Sequence, residues 1–522
     1  MRGLRVLILV LVALLYLRVM QAPFVYDDKI EVVGNPTIRV LTNWQAVATY
    51  NFSRPLLIAT YALNWWWSGL ESWSYHLVSL GIHLLNTMLA LSLGRRLMPP
   101  ASAMVATLAW AVHPMLIESV TYITGRSDAL CATFWLLALI GWADHVRGQS
   151  GRIVAMLALA GGLMTKEVAV ALPLALMALE QHLRGSIRWR DHRWIWGLGA
   201  TALVVRLAAY GLPRGEVDRG FFLQAGTQAE VWLRSLQLWL LPVGQSILHD
   251  HPAVLGPETL GALLVWAGLG ALAWRRGGLA ALGLALWVLP LLPASAVPLK
   301  ETMAEHRSYL SGLGLIWALC SLLPPWDPKK PAWILSLLLL PLLAGATLLR
   351  NEVWRDEVTL WQDAADKNPE SVDAAYGAAD ALRLAQRWSA AQAGFERVIA
   401  MKEDHLDARI NLGITLAEQG KVAEAEQAWL AALRLQPRSC AAHNNLGALA
   451  RRQGKPRLAI TSYQSSMTWC PDDPIAQLAL GDLFYEEGDP QKARYHYRRY
   501  LAVDPDGPAV KRVQNRLRLL DL

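Results

Sequence analysis

Charged side chains are scarce in this chain. Of its 522 residues, 17% are Asp, Glu, Lys or Arg, whereas 54% are hydrophobic, and the mean hydropathy is +0.26. A composition so poor in charge indicates a membrane protein with an additional water-exposed part. The net charge of +7 does not indicate nucleic-acid binding, because much of it falls in short Arg and Lys clusters between apolar runs, where basic residues mark the cytoplasmic side of a membrane. We therefore expect no nucleic-acid partner.

Three other features are missing or rare. No small-x-small cleavage site follows the apolar run at 4–20, so this run predicts a retained membrane anchor and not a removed signal peptide. The sequence shows no clear set of metal ligands, so no cofactor is assigned, and the available acidic residues leave a divalent metal ion as an alternative. There are four cysteines, of which Cys131 and Cys320 lie in apolar runs. Cys440 and Cys470 fall at adjoining ends of two predicted antiparallel helices, where either a disulfide or two unpaired thiols fit.

Eleven apolar runs approach the length of about 20 residues that a membrane-spanning helix needs. With the N-terminus in the cytoplasm, eleven spans place every Arg and Lys cluster between the runs on the cytoplasmic side. The stretch 231–248 is then an interfacial or re-entrant helix, and the odd number of spans places the C-terminal part outside the cytoplasm. The predicted spans are 4–20, 75–94, 101–119, 128–145, 152–165, 167–183, 194–212, 258–274, 279–297, 307–324 and 331–349.

The composition changes near residue 350, which predicts a membrane domain over 1–350 and a second domain over 351–522. In the second domain small residues recur at a spacing of 34 residues, as at Gly413, Gly447 and Gly481. An aromatic residue and a proline recur with them, which is the pattern of tetratricopeptide repeats. The predicted fold is therefore all-α: a polytopic helical membrane domain followed by an α-solenoid whose concave groove recognises peptides.

Charged residues also stand beside the apolar runs, on the face that this topology places outside the cytoplasm. Charge at such positions is costly and usually marks function. Asp27 and Asp28 are the most informative, because two adjacent carboxylates repel each other and indicate chemistry or cation binding more than packing. The other groups are Arg54, residues 125–128, Lys166 with Glu167, residues 249–251, and Lys300, Glu301, Glu305, His306 and Arg307. We expect these groups to line one water-accessible cavity. We interpret Glu118, near His113, as part of a polar kink, with a role in the cavity as the alternative.

Several segments occur in a fixed order ahead of the repeats: FVYDDKIEVVGNP, SRPL, YHLVSLGIHLLN, HPMLIESVTYITGRSDAL, KEVAVALPL and AEHRSYL. In this order the chain resembles the transmembrane and tetratricopeptide repeat family of protein O-mannosyltransferases and its bacterial relatives, which belong to the GT-C superfamily of glycosyltransferases. The resemblance implies about eleven spans, a catalytic acidic pair in the first extracytoplasmic loop and a polyprenyl-phosphate-linked sugar donor.

The resemblance also implies roles for single residues. Asp27 and Asp28 match the acidic motif, and one of them is expected to deprotonate the acceptor hydroxyl, although the pattern does not choose between them. For Arg126, a salt bridge to Asp128 is the alternative to phosphate binding. For Lys166 and Glu167, the alternative is a structural pair that joins two short spans. The segment around His306 departs from the Glu-Arg-Tyr-like motif of the family. The positions expected to bind the donor phosphate or the substrate are Arg126, Asp128, Lys166, Glu167, Glu305, His306 and Arg307.

The predicted function is that of a glycosyltransferase in a bacterial inner membrane. It moves a hexose, with mannose as one candidate, from the lipid carrier to a hydroxyl group of an extracytoplasmic protein or glycan, and repeats on the periplasmic side recruit the acceptor. An O-antigen ligase or polymerase is a second candidate, because the loop 213–257 is long enough to hold its active groups. A membrane-anchored scaffold is a third, but an inert anchor needs neither eleven spans nor so many charges on one face.

Overall fold

The structure is a computed structural model. It describes residues 2–40, 42–211, 217–251, 254–324, 327, 329–505 and 507–521, and most of these residues are helical. Within these ranges the only paired extended residues are His249 and Met303, which form an isolated β-bridge. The all-α prediction is confirmed. The chain divides into two compact units, Met1–Asp363 and Ala364–Leu522, and the compositional boundary near residue 350 falls inside the helix Pro331–Val353.

The first unit is built from α-helices of very different length. Each of the eleven predicted spans overlaps at least one of them. In chain order they are α1 (Arg2–Leu14), α2 (Trp44–Tyr50), α3 (Pro55–Ser68), α4 (Ser72–Leu97), α5 (Pro100–Ala111), α6 (Ile117–Val120), α7 (Arg126–Val146), α8 (Arg152–Leu163), α9 (Leu172–Arg184), α10 (Trp189–Tyr210), α11 (Phe221–Leu240), α12 (Pro257–Arg276), α13 (Gly278–Val288), α14 (Leu292–Ser295), α15 (Tyr309–Cys320) and α16 (Pro331–Val353).

Four of these helices, α4, α7, α12 and α16, are long and apolar enough to cross a membrane by themselves. A fifth candidate joins α5 to the segment Pro114–Val120 across a bend of 58°. Helices α8 and α13 are apolar but shorter, and twelve residues of helix rise only about 18 Å against a hydrocarbon core of about 30 Å. Among the described residues the structure therefore provides four or five candidates by length and composition, and the count of eleven spans remains a prediction.

The first long loop, 21–74, folds into short helices that share a buried core. Val32, Ile38 and Tyr61 are fully buried in it, together with Ile123, which precedes α7. Burial of apolar surface stabilises such a contact by about 25 cal/mol per Å². The core therefore fixes the loop, and with it the acidic pair, on the residues that lead into α7.

The second unit consists of antiparallel helix pairs. The helices that follow α16 are α17 (Glu357–Lys367), α18 (Val372–Leu384), α19 (Trp388–Met401), α20 (Leu406–Glu418), α21 (Val422–Leu435), α22 (Cys440–Arg452), α23 (Pro456–Trp469), α24 (Pro474–Glu486), α25 (Pro490–Val503) and α26 (Val510–Leu520). Gly413 shows why small residues recur: a Cβ atom there would lie 2.4 Å from the indole nitrogen of Trp429, closer than packed atoms approach. The corresponding glycines of the next two repeats meet tyrosine rings in the same way.

Two cysteines of the repeat unit form a disulfide. It joins Cys440, the first residue of α22, to Cys470, which directly follows α23. Of the two pairings that the sequence left open, the structure thus shows the bonded one. Cys131 and Cys320 are free.

Candidate functional site

A cavity of about 1120 Å³ lies in the first unit, and both apolar and charged side chains line it. Most of the apolar lining comes from α8, α10 and residues 293–299. Most of the polar lining comes from the first loop, the residues around the start of α7, and the segments 166–167, 300–301 and 306–307. The polar side chains that line it are Tyr26, Asp27, Ser53, Arg54, Tyr122, Thr124, Ser127, Lys166, Glu167, Arg206, Lys300, Glu301, His306 and Arg307. Charged residues from widely separated parts of the chain therefore meet in one place.

Asp27 lines this cavity, and a strained turn places it there. The preceding Tyr26 has φ of +51°, a left-handed conformation that side chains other than glycine rarely adopt. The Tyr26 hydroxyl donates to a carboxylate oxygen of Glu301 across the cavity, and the Asp27 backbone N–H donates to the Tyr122 hydroxyl at 3.2 Å. These contacts hold the turn in the one conformation that directs residue 27 to the cavity.

Asp28 is turned away from the cavity and is 1% exposed. One carboxylate oxygen accepts the backbone N–H of Thr124 at 2.8 Å and its hydroxyl at 2.6 Å. The other accepts the Val25 N–H at 3.2 Å. Burial raises the pKa of Asp28 to about 7, although the hydrogen bonds from Thr124 oppose this rise. Asp28 therefore ties the first loop to the residues that precede α7.

Lys166 and Glu167, adjacent in sequence, form ion pairs with different partners. The Lys166 ammonium lies 2.5 Å from an Asp128 carboxylate oxygen in a buried pair. Glu167 accepts two hydrogen bonds from one guanidinium nitrogen of Arg54, at 2.9 and 3.2 Å. The turn between α8 and α9 is thus tied to α7 on one side and to the first loop on the other. Lys166 and Glu167 line the cavity, whereas Asp128 supports Lys166 from behind.

Arg126 does not line the cavity, because its side chain is fully buried between helices. Its guanidinium donates to the Ser79 hydroxyl at 3.0 Å, the Asn64 side-chain oxygen at 2.9 Å and the Tyr75 carbonyl at 2.6 Å, and also to the hydroxyl of Thr60 at 3.1 Å. Within the part of the chain that the structure describes, it forms no ion pair, so the Arg126–Asp128 salt bridge that the sequence allowed is replaced by these neutral acceptors. Arg126 thus joins α7 to α3 and α4.

The segment 305–307 divides its side chains between two surroundings. Glu305 is buried and accepts hydrogen bonds from the Gln245 amide at 2.9 Å, the Ser246 N–H at 2.8 Å and His249 at 2.8 Å. His306 and Arg307 line the cavity instead. Glu305 therefore anchors the segment, and the two residues that follow it present charge-bearing groups to the cavity.

The described histidines of the loop after α11 bind carboxylates. His249 is bonded to Glu305, and His251 to Glu230 at 2.9 Å, so the two histidines have separate partners. Across the described ranges no group of three or more His, Cys, Asp or Glu side chains is arranged to hold a metal ion. Residues 213–216 and 252–253, which belong to the 213–257 loop of the ligase hypothesis, lie outside the described residues.

Several polar residues of the cavity lining were missed by sequence reasoning, among them Arg206 and Tyr26. Arg206 lines the cavity from α10, 4.0 Å from a Glu167 oxygen. A single arginine inside the apolar run 194–212 is a signal that points to such a residue, because a charge within a predicted span usually faces a polar cavity. Tyr26 was also missed, and only its backbone conformation reveals what it does.

Comparisons with known proteins first indicate a class. Residues 59–210 match the family model of dolichyl-phosphate-mannose-protein mannosyltransferases, and residues 385–439 and 438–506 match tetratricopeptide repeat models. The first match begins in α3 and ends with α10, so it contains Lys166 but neither Asp27 nor Asp28. The chain therefore resembles a mannosyltransferase over part of its first unit and tetratricopeptide repeat proteins over its second.

Individual relatives confirm the resemblance to the transmembrane and tetratricopeptide repeat O-mannosyltransferases. Protein O-mannosyl-transferase TMTC3 of Mus musculus is 24% identical over 507 residues, which are 83% of this chain and 55% of that protein. Protein O-mannosyl-transferase TMTC2 of Homo sapiens is 34% identical over 154 residues, 26% of this chain and 18% of that protein. The chain spans about half the length of TMTC3. A solved thermophilic tetratricopeptide repeat protein of Thermus thermophilus has 20% identity and a TM-score of 0.28, covering 36% of this chain and 95% of its own.

Proposed function

We propose that this chain is an integral membrane glycosyltransferase that moves a hexose from a polyprenyl-phosphate carrier to a hydroxyl group of an acceptor protein. The mixed lining of the cavity is the observation that supports this most strongly. A pocket lined by cations, carboxylates and apolar helix surface suits a ligand with an anionic head and a hydrocarbon tail. The relatives are named as protein O-mannosyl-transferases, which favours mannose as the sugar and a protein as the acceptor.

Asp27 is the catalytic base in this proposal. Its carboxylate lines the cavity, whereas Asp28 is buried and held by Thr124 and Val25. The acceptor oxygen attacks C1 of the sugar, the bond between C1 and the phosphate oxygen breaks with inversion, and the hydroxyl proton moves to Asp27. Asp28 is a positioning residue, because it anchors the turn that presents Asp27.

The donor phosphate binds to cations that lie near the apolar lining of the cavity. Arg206 belongs to α10, and Lys300 and Arg307 follow residues 293–299, so these three cations border the apolar surface. Guanidinium and ammonium groups match phosphate oxygens and stabilise the charge that develops when the lipid phosphate departs. The lipid chain would then lie along α10 and residues 293–299, with the sugar directed to Asp27.

The repeat unit recruits the acceptor on the extracytoplasmic side, in a bacterial inner membrane. Tetratricopeptide solenoids bind extended peptides. The disulfide between Cys440 and Cys470 supports this location, because disulfides persist mainly in oxidising compartments. It also agrees with an odd number of spans.

The test measures sugar transfer by the purified full chain in liposomes, with dolichyl phosphate mannose as donor and a Ser/Thr-rich peptide as acceptor. We expect D27N to lower the rate about 10²- to 10⁴-fold, the usual contribution of a general base. The matched control is E71Q, which changes an exposed acid of the same loop that does not line the cavity and should keep the wild-type rate. R206Q should raise the donor KM. Full activity of D27N would exclude the proposed base.

A further inference from the structure

Glu118 holds both the backbone and the ring of one cavity residue. It lies in the short helix α6 and is 4% exposed. One of its oxygens accepts the backbone N–H of His306 at 2.9 Å, and the other lies 3.1 Å from the ring nitrogen Nδ1. The neighbouring Ser119 hydroxyl donates to the His306 carbonyl at 3.3 Å. Two adjacent residues therefore hold His306 at its N–H, its carbonyl and its ring, which leaves the imidazole one orientation.

This clamp determines which nitrogen of His306 faces the cavity. An ionised carboxylate only accepts hydrogen bonds, so Nδ1 must carry a proton to bond to Glu118. Nε2 is then the remaining ring nitrogen. It lies 3.8 Å from an Asp128 oxygen, which is beyond hydrogen-bond distance, and in the described structure no hydrogen bond engages it. The side chain is 16% exposed, at the cavity surface.

Four titratable groups follow one another through this part of the site: Glu118, His306, Asp128 and Lys166. The same Asp128 oxygen that faces Nε2 is paired with the Lys166 ammonium at 2.5 Å. Glu301 interacts electrostatically with the ring of His306, and Arg307 is the next residue in the sequence. The ring of Tyr122, whose hydroxyl accepts the Asp27 N–H, lies 6.4 Å from the imidazole. Tyr122 therefore contacts the backbone of the proposed base and lies near His306.

We propose that His306 contacts the phosphate of the lipid-linked donor through Nε2–H and that Glu118 is its positioning residue. The proposal rests on the proposed function and deepens it. When the bond between C1 and the phosphate oxygen breaks, the phosphate gains negative charge, and the imidazolium N–H donates a charge-assisted hydrogen bond to it. No bond to His306 forms, and the acceptor proton still moves to Asp27. Because Nδ1 donates to Glu118, a contact through Nε2–H is made by the form of the ring that carries a proton on each nitrogen.

The experiment compares kcat/KM for dolichyl phosphate mannose, and the affinity for the product dolichyl phosphate, in the reconstituted full chain. We expect H306Q to lower both about 10- to 100-fold, the range for a hydrogen bond to a charged group. E118Q should lower both less than H306Q does, because a glutamine amide donates to Nδ1, leaves the ring proton on Nε2 and replaces a charge-assisted bond by a neutral one. The matched control is H251Q, which removes a histidine paired with Glu230 outside the cavity and should keep the wild-type values.

Each result decides between a contact with the donor and a purely structural pair. Wild-type turnover and product affinity in H306Q, or in E118Q, would overturn the proposal. If H306Q loses its thermal unfolding transition, E118Q decides, because it retains the ring. If the wild type transfers no mannose, the proposed function fails. The dolichyl phosphate affinity then still tests His306, because that affinity falls in H306Q only if the contact exists.

Discussion

The buried position of Arg126 predicts that substitutions there reduce stability and do not weaken donor binding. The guanidinium serves four neutral acceptors on α3 and α4 and lies against the rings of Tyr61 and Tyr75. A buried acceptor that loses its donor costs about 1–3 kcal/mol. R126M leaves all four without a donor, which gives a loss of at least about 4 kcal/mol if each contributes the lower value. R126K restores some of these bonds and should lose about half as much.

The measurement is thermal unfolding of the purified full chain in detergent, together with the donor KM of the folded fraction. R355K is the control: Arg355 is mostly exposed, and its contacts with Glu352 and Asp356 are 3.8 and 3.7 Å long, so a lysine there should cost less than about 1 kcal/mol. We expect both Arg126 variants to unfold at lower temperature with a donor KM close to that of the wild type. The reasoning is refuted if R126K unfolds at the wild-type temperature and its donor KM rises tenfold or more, because that result assigns Arg126 to the donor.

Two further predictions concern Asp28 and the disulfide. Burial raises the pKa of Asp28 to about 7, above the ordinary value of about 4, so the folded state favours the protonated form and the wild type gains stability relative to D28N as pH falls from 8 to 5. Melting temperatures of both proteins at the two pH values check this, and an unchanged difference contradicts it. The disulfide closes a segment of 30 residues, so C440S should lower the unfolding free energy of the repeats by about 3 kcal/mol. A reducing agent should lower the melting temperature of the wild type but not that of C440S, and equal responses would show that the bond does not stabilise the repeats.

Much of the fold follows from patterns within short stretches of sequence. Each predicted apolar run overlaps a helix, because hydrophobicity and helix propensity act over neighbouring turns. The repeats were equally accessible: Gly413 and Trp429 belong to one helix pair and meet directly, so their recurrence reports a local contact. The number of spans does not follow from such local patterns. Helices such as α8 and α13 are shorter than a membrane is thick, and where they end depends on the helices packed around them.

The candidate site was predictable as a set of residues but not as a set of contacts. Asp27, Lys166 and His306 stood out as charge-bearing groups beside apolar runs. Their partners did not, because these come from distant parts of the chain: Glu118 lies 188 positions from His306, and Arg54 lies 113 from Glu167. Periodicity carries no information about such pairs. Glu118 was accordingly interpreted as part of a polar kink.

The amino-acid sequence by itself determined the helical architecture, the repeats and the family that this chain resembles. Only the tertiary structure decided which acid of the pair faces the cavity and which is buried, and that Arg126 braces helices instead of lining the cavity. The physical reason is that Asp27 and Asp28 are chemically identical neighbours. They differ only through the left-handed turn at Tyr26 and through the donors of Thr124 and Val25 that folding brings to Asp28.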